Sequence, residues 1–480
     1  MYIIKISRNV LQKERRSLQM KKEVRKFSML DKIGYTLGDM GCCCTEQFRS
    51  AYLSVFYTLV LQVNPAHSAI LFLITKIWDA INDPIIGALV DSKKDTGKGK
   101  FIPWIRAFAL PMAVTCVLGF ANISNWAYGA KLIYMFVTYV VYEILYTCVN
   151  VPYGSLSSVM TDDVNQRTDL SRYRSLGGTI FMTVAVIVGP LFLYKDNQPV
   201  PERFIILAAI FAAVGFVCLM LTSFWCKERV VAEPIVKQEK EKINYLVIIK
   251  EIGKNRALIG CMLASFIGMV GASVVNGLNT YLYKDYFGNV KLSAMSGMLS
   301  VVWSLIAFVG IKFVAKKFGK KEWIMYSATF SIIVYAFLHF FPITNGMVFI
   351  IVNGICYLGV CGFQVLIWAM VNDSIDYHEL IHGKRNEGIV YSAYSFVRKL
   401  ANALSASLAN FALVWIGYDY TATTQSQEVA KSIWSGYTIL YVVGYLAAVL
   451  VLRFVYPLTK EKTKEMLDTL AERRAQKTEA

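Results

Sequence analysis

Long apolar segments separated by short polar connections run along most of the chain. Each has roughly the 20 residues that a helix needs to cross a bilayer. The predicted spans are residues 37–62, 68–90, 104–122, 130–151, 175–194, 204–225, 257–283, 293–315, 322–342, 346–371, 389–416 and 434–457. The pattern predicts an all-α polytopic membrane protein with twelve transmembrane helices.

The polar stretch 226–256 divides these spans into two groups of six. Basic, glycine-containing loops at 91–100 and 316–321 follow the second helix of each group. This 6+6 repeat is typical of the major-facilitator architecture, whose pseudo-two-fold halves hold a site near the midplane. The predicted divisions are a basic tail (1–36), an N-terminal six-helix bundle (37–225), a central linker (226–256), a C-terminal six-helix bundle (257–457) and a second tail (458–480).

Composition supports a membrane protein, since 56% of the 480 residues are hydrophobic. The net charge of +17 lies in alternate loops and in both tails, whereas connections 64–67 and 342–346 carry no Lys or Arg. By the positive-inside rule, both termini are cytoplasmic in a multi-pass protein of the cytoplasmic (inner) membrane. The same distribution argues against nucleic acid as a partner. The basic residues are Lys93, Lys94, Lys98, Lys100, Lys316, Lys317, Lys320, Lys321, Lys384, Arg385, Lys460, Lys462, Lys464, Arg473, Arg474 and Lys477.

The second span contains charged residues that lipid would not tolerate. Lys76, Asp79 and Asp83 are spaced i, i+3, i+7 and share one helical face. Each costs roughly 2.5–3.5 kcal/mol on insertion, so this face is predicted to line the protein interior or a water-filled cavity. A structural Lys76–Asp79 ion pair would leave Asp83 unexplained. With the Asn82 oxygen, the two acids fit a coupling site for either Na⁺ or H⁺.

The fourth span carries a polar stripe of Glu143, Tyr146, Thr147 and Asn150 at helical spacing. Such a stripe either joins helices or lines a cavity for a hydroxylated solute. The carboxylate of Glu143 favours the cavity.

Two further spans contain charged residues that need partners. In span one, Glu46 and Arg49 form either a self-neutralising i, i+3 pair or part of the site. Lys399 lies within apolar span eleven, where a lone ammonium requires a carboxylate. Its predicted partners are the acids of spans two and four. The preceding connection, 372–388, is predicted to be a solvated charged loop.

Four motifs resemble those of the glycoside–pentoside–hexuronide:cation symporters. They are the segments 76–87, 98–104 and 150–156, and the stretch that begins at 373–377 and passes Gly388 to Lys399. Their order and spacing follow this family over nearly the whole chain. The resemblance implies a major-facilitator fold that couples sugar uptake to H⁺, Na⁺ or Li⁺ by alternating access.

The resemblance also implies residue roles. Asp79 and Asp83 match the helix-two acids assigned to cation coupling, with Asn82 and Thr147 beside them, so any Na⁺ would bind at Asp79 and Asp83. Lys399 matches the helix-eleven lysine that faces both sites. Arg174, with Arg172 as the alternative, matches the helix-five arginine of the sugar pocket, and Tyr146 and Asn150 complete the predicted substrate site.

The chain departs from melibiose permease, the best-known member of this family, on the substrate side. The two sugar-binding aspartates of that protein fall at Cys43 and Asn150, and its stacking tryptophan falls at Gly154. These changes argue against melibiose and favour a larger or acidic substrate such as a hexuronide. The loss of acids also favours H⁺ coupling, with Glu143 as a substitute acid.

Other functional classes fit the sequence less well. The ten cysteines lie almost wholly within apolar spans and show no CxxC spacing, and only His378 and His382 form an i, i+4 histidine pair. An enzyme, a cofactor and a resident metal are therefore not expected, nor is an obligate protein partner. Charges of mixed sign disfavour a passive channel. The alternative on the same fold is a carrier or exporter of a non-sugar solute.

Overall fold

A computed structural model of the chain describes residues 25–92, 99–161, 163–229, 253–383, 387–422 and 424–479. The helices are α1 (Met29–Val55, extended by a π-helical turn Phe56–Val60), α2 (Pro65–Ser92), α3 (Ile102–Leu118), α4 (Tyr128–Met160), α5 (Val164–Leu193), α6 (Pro201–Trp225), α7 (Arg256–Tyr281, extended by a π-helical turn Leu282–Tyr286), α8 (Lys291–Phe318), α9 (Lys320–Phe340), α10 (Gly346–His382), α11 (Glu387–Ile416), α12 (Gln427–Phe454) and α13 (Lys460–Glu479). Two short antiparallel strands, β1 (Tyr194–Lys195) and β2 (Gln198–Pro199), connect α5 to α6.

Some sequence predictions fall on residues outside this description. They are the basic tail up to residue 24, most of the central linker (230–252), and the basic residues Lys93, Lys94, Lys98, Lys384 and Arg385.

Helices α1 to α12 each overlap one predicted span. Within the described residues, the nine helices α4 to α12 are long and apolar enough to cross a membrane, and α3 is a shorter apolar helix. Polar side chains begin several helices by accepting backbone N–H groups: Asn255 at α7, Asn345 at α10 and Ser426 at α12. The all-α polytopic prediction is confirmed.

Two predicted connections are partly helical instead. Helix α10 continues to His382, and α5 begins at Val164. The prediction of a loop from residue 372 is therefore wrong as far as His382. Hydropathy detects only the part of a helix that lies in lipid, whereas α10 ends where Gly383 adopts φ +70°.

Helix contacts repeat with an offset of six helices. Helix α1 packs against α5 and α6, and α7 packs in the same way against α11 and α12. The first six helices meet the last six through α2 with α11 and through α5 with α8. With an offset of six, α2 corresponds to α8 and α5 corresponds to α11, so each of these contacts is the counterpart of the other. This is expected for a pseudo-two-fold arrangement.

The connections that follow α6 and α12, the last helices of the two halves, make corresponding contacts at the start of α3 and α9. After α6, the Glu228 carboxylate accepts hydrogen bonds from the backbone N–H groups that begin α3. After α12, the Lys460 backbone N–H donates to Glu322 in the first turn of α9. Gly99 (φ +84°) and Gly319 (φ +100°) precede these two helices, and an added Cβ would collide with Glu228 at Gly99 and with Glu322 of α9 at Gly319. Each connection thus docks on the third helix of its own half.

The buried core has different arrangements at the two ends of the bundle. We call the end where α1 begins and α12 finishes the termini end, and the opposite one the far end. At the far end, one continuous apolar core includes residues of both halves, among them Phe56, Phe204, Tyr281 and Trp434. At the termini end, the described residues form two separate cores, one in each half. Among the described residues, the apolar core therefore joins the halves at the far end and not at the termini end.

Three hydrogen bonds that cross the interface lie at the far end. Ser54 of α1 donates to the Asn410 side chain of α11 at 2.9 Å. Asn197, in the β1–β2 turn, donates to the Lys284 carbonyl at 2.7 Å and accepts from the Val290 backbone N–H at 2.8 Å. Asn197 has φ +64°, a conformation that asparagine tolerates better than most residues.

Candidate functional site

The charged face of α2 packs against α4. Lys76 Nζ lies 3.8 Å from Asp79 Oδ2 and 3.6 Å from Glu143 Oε1 of α4. Glu143 is almost fully buried, with 1% of its side chain exposed. One ammonium thus bridges an acid of α2 and an acid of α4, so the predicted Lys76–Asp79 pair is part of a larger network.

Arg49 of α1 extends this network. Its Nη1 atom is 3.7 Å from Glu143 Oε1, and its side chain is 4% exposed. The guanidinium lies 3.5 Å from the ring centroid of Tyr142, a cation–π contact. Tyr142 in turn donates from its hydroxyl to Thr45 of α1. Arg49 therefore pairs with Glu143 and does not neutralise Glu46, which lies one turn away.

Asp83 lies nearer the termini end of α2 and has a different partner. Thr147 Oγ1 of α4 donates to Asp83 Oδ1 at 3.1 Å. Asn82 is buried, and no hydrogen-bond partner is found for its Nδ2 atom among the described residues. Of the four residues predicted to couple the cation, Asp83 and Thr147 are thus in direct contact, while Asp79 is engaged by Lys76.

Arg174 pairs with Asp39, a residue that the sequence pattern does not single out. Its Nε atom donates to Asp39 Oδ1 of α1 at 2.9 Å, and its guanidinium lies 5.2 Å from the Tyr153 ring. Asp39 stands close to the start of a predicted span, where an acid is unremarkable, so hydropathy gave no reason to select it. The alternative arginine, Arg172, is exposed.

The remaining predicted substrate residues lie around this charge network. Tyr146 stacks on Tyr142 with ring centroids 5.9 Å apart, and Asn150 is half-buried about one turn beyond on α4. Lys399 is exposed on α11, the helix that packs against α2. Its charge acts on Asp79, yet no ion pair within 4 Å joins Lys399 to a described acid. The predicted direct pairing of Lys399 with the acids of spans two and four is therefore not found.

Comparison with known proteins identifies the family of this chain. A family model described as MFS/sugar transport protein matches residues 34–460, and the chain belongs to this family. Among curated proteins, it is 32% identical to the uncharacterized symporter YjmB of Bacillus subtilis (strain 168), over 93% of this chain and 96% of that protein. It is 29% identical to the isoprimeverose transporter of Lactiplantibacillus pentosus, over 93% and 92% of the two chains. It is 26% identical to the glucuronide carrier protein homolog of Escherichia coli (strain K12), over 91% and 94%.

Solved structures agree on the fold. The crystal structure of a D-xylose–proton symporter superposes with a TM-score of 0.60 at 15% identity, covering 90% of this chain and 98% of that one. The nucleoside transporter NupG gives a TM-score of 0.62 at 16% identity, covering 88% and 99%. At such identities the likeness concerns the fold alone.

These findings confirm the resemblance to the glycoside–pentoside–hexuronide:cation symporters. The protein is a multi-pass secondary transporter that symports a sugar or glycoside with a cation, and it is not an enzyme.

Proposed function

We propose that the chain imports a glycoside, pentoside or hexuronide together with a proton, by alternating access across the cytoplasmic membrane. The observation that carries this proposal is the network in which Lys76 bridges Asp79 and Glu143 while Thr147 bonds Asp83. Asp79, Asn82, Asp83 and Thr147 form the cation-coupling region in this proposal, and Glu143 is the additional acid. A loss or gain of one charge there changes the partners that hold α2 against α4.

A proton fits this network better than Na⁺. Sodium prefers several oxygen ligands free of competing cations, whereas the Lys76 ammonium already lies 3.8 Å from Asp79. A proton needs only one carboxylate oxygen, and its binding releases the pairing lysine. The alternative is Na⁺ bound at Asp79 and Asp83, and comparing uptake driven by an H⁺ gradient with uptake driven by a Na⁺ gradient distinguishes the two.

For the substrate, an acidic sugar fits the free cation best. Arg174 is neutralised by Asp39, whereas Lys399 is exposed and makes no ion pair within 4 Å among the described residues. We assign Lys399 to the carboxylate of a hexuronide, and Tyr146, Asn150 and Arg174 to the sugar ring and its hydroxyls. Gly154 leaves room beside Arg174, where an added Cβ would lie 3.7 Å from Nη1. The names of two relatives, a glucuronide carrier homolog and an isoprimeverose transporter, fit this substrate range.

The sidedness follows from charge. At the termini end the described chain carries many basic residues, including Lys227, Arg229, Lys316, Lys317 and Lys460. By the positive-inside rule this end is cytoplasmic. A bundle whose apolar core joins the halves only at the opposite end fits an inward-facing state. The two six-helix bundles, 37–225 and 257–457, are the bodies that rock against each other.

Purified protein in proteoliposomes tests the proposal. The probes are p-nitrophenyl β-D-glucuronide, isoprimeverose and melibiose, each with an inward H⁺ gradient or an inward Na⁺ gradient. We expect accumulation of the glucuronide under the H⁺ gradient, weaker transport of isoprimeverose and none of melibiose. Empty liposomes and a protonophore are the controls. Accumulation driven by Na⁺ alone would contradict H⁺ coupling, and accumulation of no sugar would contradict the substrate class.

A further inference from the structure

Helix α1 carries an acid, Glu46, that faces the coupling network but has no counter-ion of its own. Its Oε2 atom is sealed from solvent and has no hydrogen-bond partner among the described residues, while the residue as a whole is half-buried. The cation one turn along the same helix, Arg49, is held by Glu143 instead. No described cation lies within 4 Å of the Glu46 carboxylate.

The surroundings of Glu46 are highly charged. Arg49 faces it from α1, Lys76 and Asp79 from α2, and Glu143 from α4. Its neutral titratable neighbours are Cys43 of α1, Cys116 of α3, and Tyr139, Tyr142 and Tyr146 of α4. The charges that matter therefore come from α1, α2 and α4.

A count of these charges leaves one in excess. If all are ionised, Glu46, Asp79 and Glu143 contribute three negative charges, and Arg49 and Lys76 contribute two positive charges. The two cations are committed to Glu143 and Asp79. Adding Asp83 and Lys399 does not change the balance. A single proton neutralises the network, and Glu46 is the one of these three acids with no cation within 4 Å among the described residues. A buried carboxylate without a partner is unfavourable, and protonation removes the charge.

We propose that Glu46 is the proton-carrying residue of this symporter, with Arg49 and Glu143 as its positioning partners. This inference rests on the proposed function and adds a residue of α1 to its coupling site. When the site opens to the far end, the carboxylate takes a proton from hydronium: one O–H bond forms on Glu46 while one O–H bond of hydronium breaks, leaving water. At the termini end the Glu46 O–H bond breaks and a water molecule takes the proton as hydronium, which leaves the carboxylate ionised. When ionised, Glu46 competes with Glu143 for Arg49, so its protonation state alters the contacts between α1 and α4.

Glu46→Gln tests the proposal, because glutamine has nearly the shape of the protonated acid and cannot release a proton. The reconstituted variant is assayed with p-nitrophenyl β-D-glucuronide in two ways: counterflow, which needs no net proton movement, and substrate-induced proton uptake followed with a pH-sensitive dye. We expect counterflow to persist while proton uptake falls to the background of empty vesicles and accumulation under an H⁺ gradient disappears. Glu202→Gln, an exposed glutamate at the start of α6, is the matched control and should behave as the parent does.

Three results would overturn the inference. The first is proton uptake by Glu46→Gln with the parent's proton-to-sugar ratio. The second, if that variant does not fold, is a pH profile of Glu46→Asp identical to that of the parent, because a shorter carboxylate that carries the proton must titrate differently. The third is accumulation by the parent that depends on Na⁺ alone, which would also contradict the H⁺ coupling of the proposed function. Failure of the parent to transport any probe is a different outcome, because it overturns the proposed function itself.

Discussion

Thr147 of α4 donates a hydrogen bond to the Asp83 carboxylate of α2, with 3.1 Å between the two oxygens. The bond joins a candidate coupling acid to a second helix of its own half. Asp83 lies seven residues from Lys76 along α2, so this contact and the Lys76–Glu143 contact hold the same helix pair at two levels.

Thr147→Val removes this hydroxyl while keeping the shape of the side chain. A hydrogen bond to a charged group contributes about 1.5–3 kcal/mol, so we expect the half-saturating concentration of the coupling cation to change by roughly tenfold to a hundredfold. The measurement is uptake as a function of pH and, separately, of Na⁺ concentration. Thr147→Ser keeps the donor and should resemble the parent. If the valine variant and the parent depend on the cation in the same way, Thr147 takes no part in cation coupling.

Asp83→Asn should separate coupling from transport. We expect loss of accumulation, because the side chain no longer changes charge, with exchange of labelled for unlabelled sugar retained. Asp468→Asn, an exposed acid of α13, is the control for an acid-to-amide change. A variant that concentrates sugar as well as the parent does would show that Asp83 takes no part in coupling.

Glu143 is expected to matter for stability as well as for coupling. Glu143→Leu leaves the buried Arg49 without a carboxylate, and breaking a buried pair costs roughly 3–5 kcal/mol. Unfolding of the detergent-purified protein measures this loss. The double variant Glu143→Leu, Arg49→Met should lose less than the sum of the two single variants, because it leaves neither charge of this pair unmatched. Additive losses would mean that the two residues do not interact.

Lys399→Gln should discriminate between acidic and neutral sugars. We expect a much larger rise in KM for p-nitrophenyl β-D-glucuronide than for isoprimeverose, since only the former has a carboxylate for the ammonium to bind. Lys431→Gln, at an exposed lysine near the start of α12, controls for the loss of one positive charge. Equal losses for both sugars would assign Lys399 to coupling instead of substrate recognition.

Asn197 should set how firmly the far end closes. Asn197→Ala removes both hydrogen bonds to the second half, and each contributes about 0.5–1.5 kcal/mol, so the population open at the far end should rise roughly fivefold or more. Electron paramagnetic resonance distances between labels at Glu202 and Glu428 report this opening. Asn197→Asp keeps the acceptor for Val290 and should give an intermediate population. An unchanged distance distribution would show that the β1–β2 turn does not help to hold the far end closed.

The sequence predicts the helices well because each is set by a local quantity, the run of apolar residues. It fails where a helix leaves the lipid, as at Val164 and His382, because a polar helix end has no hydropathy signal. The 6+6 arrangement is visible in the basic loops, but the docking of Glu228 and Lys460 depends on contacts between residues distant in sequence.

The candidate site is only partly predictable, for a related reason. The charges on α2 and α4 stand out because a charged side chain within an apolar span is energetically costly unless it has a partner or a function. Which acid pairs with which base depends on side-chain reach across helices. Arg49 of α1 pairs with Glu143 of α4 and not with the nearby Glu46, and Arg174 of α5 pairs with Asp39 of α1. No spacing rule along one helix predicts either pair.

The continuous aromatic core that joins both halves at the far end also affects how transport depends on temperature. Opening that end exposes Phe56, Tyr281 and their neighbours to water, so the opening step should have the large positive heat-capacity change that accompanies hydration of apolar surface. Apolar association weakens on cooling. The cold protein should therefore favour the state open at the far end, and an Eyring plot of transport limited by this step should be curved.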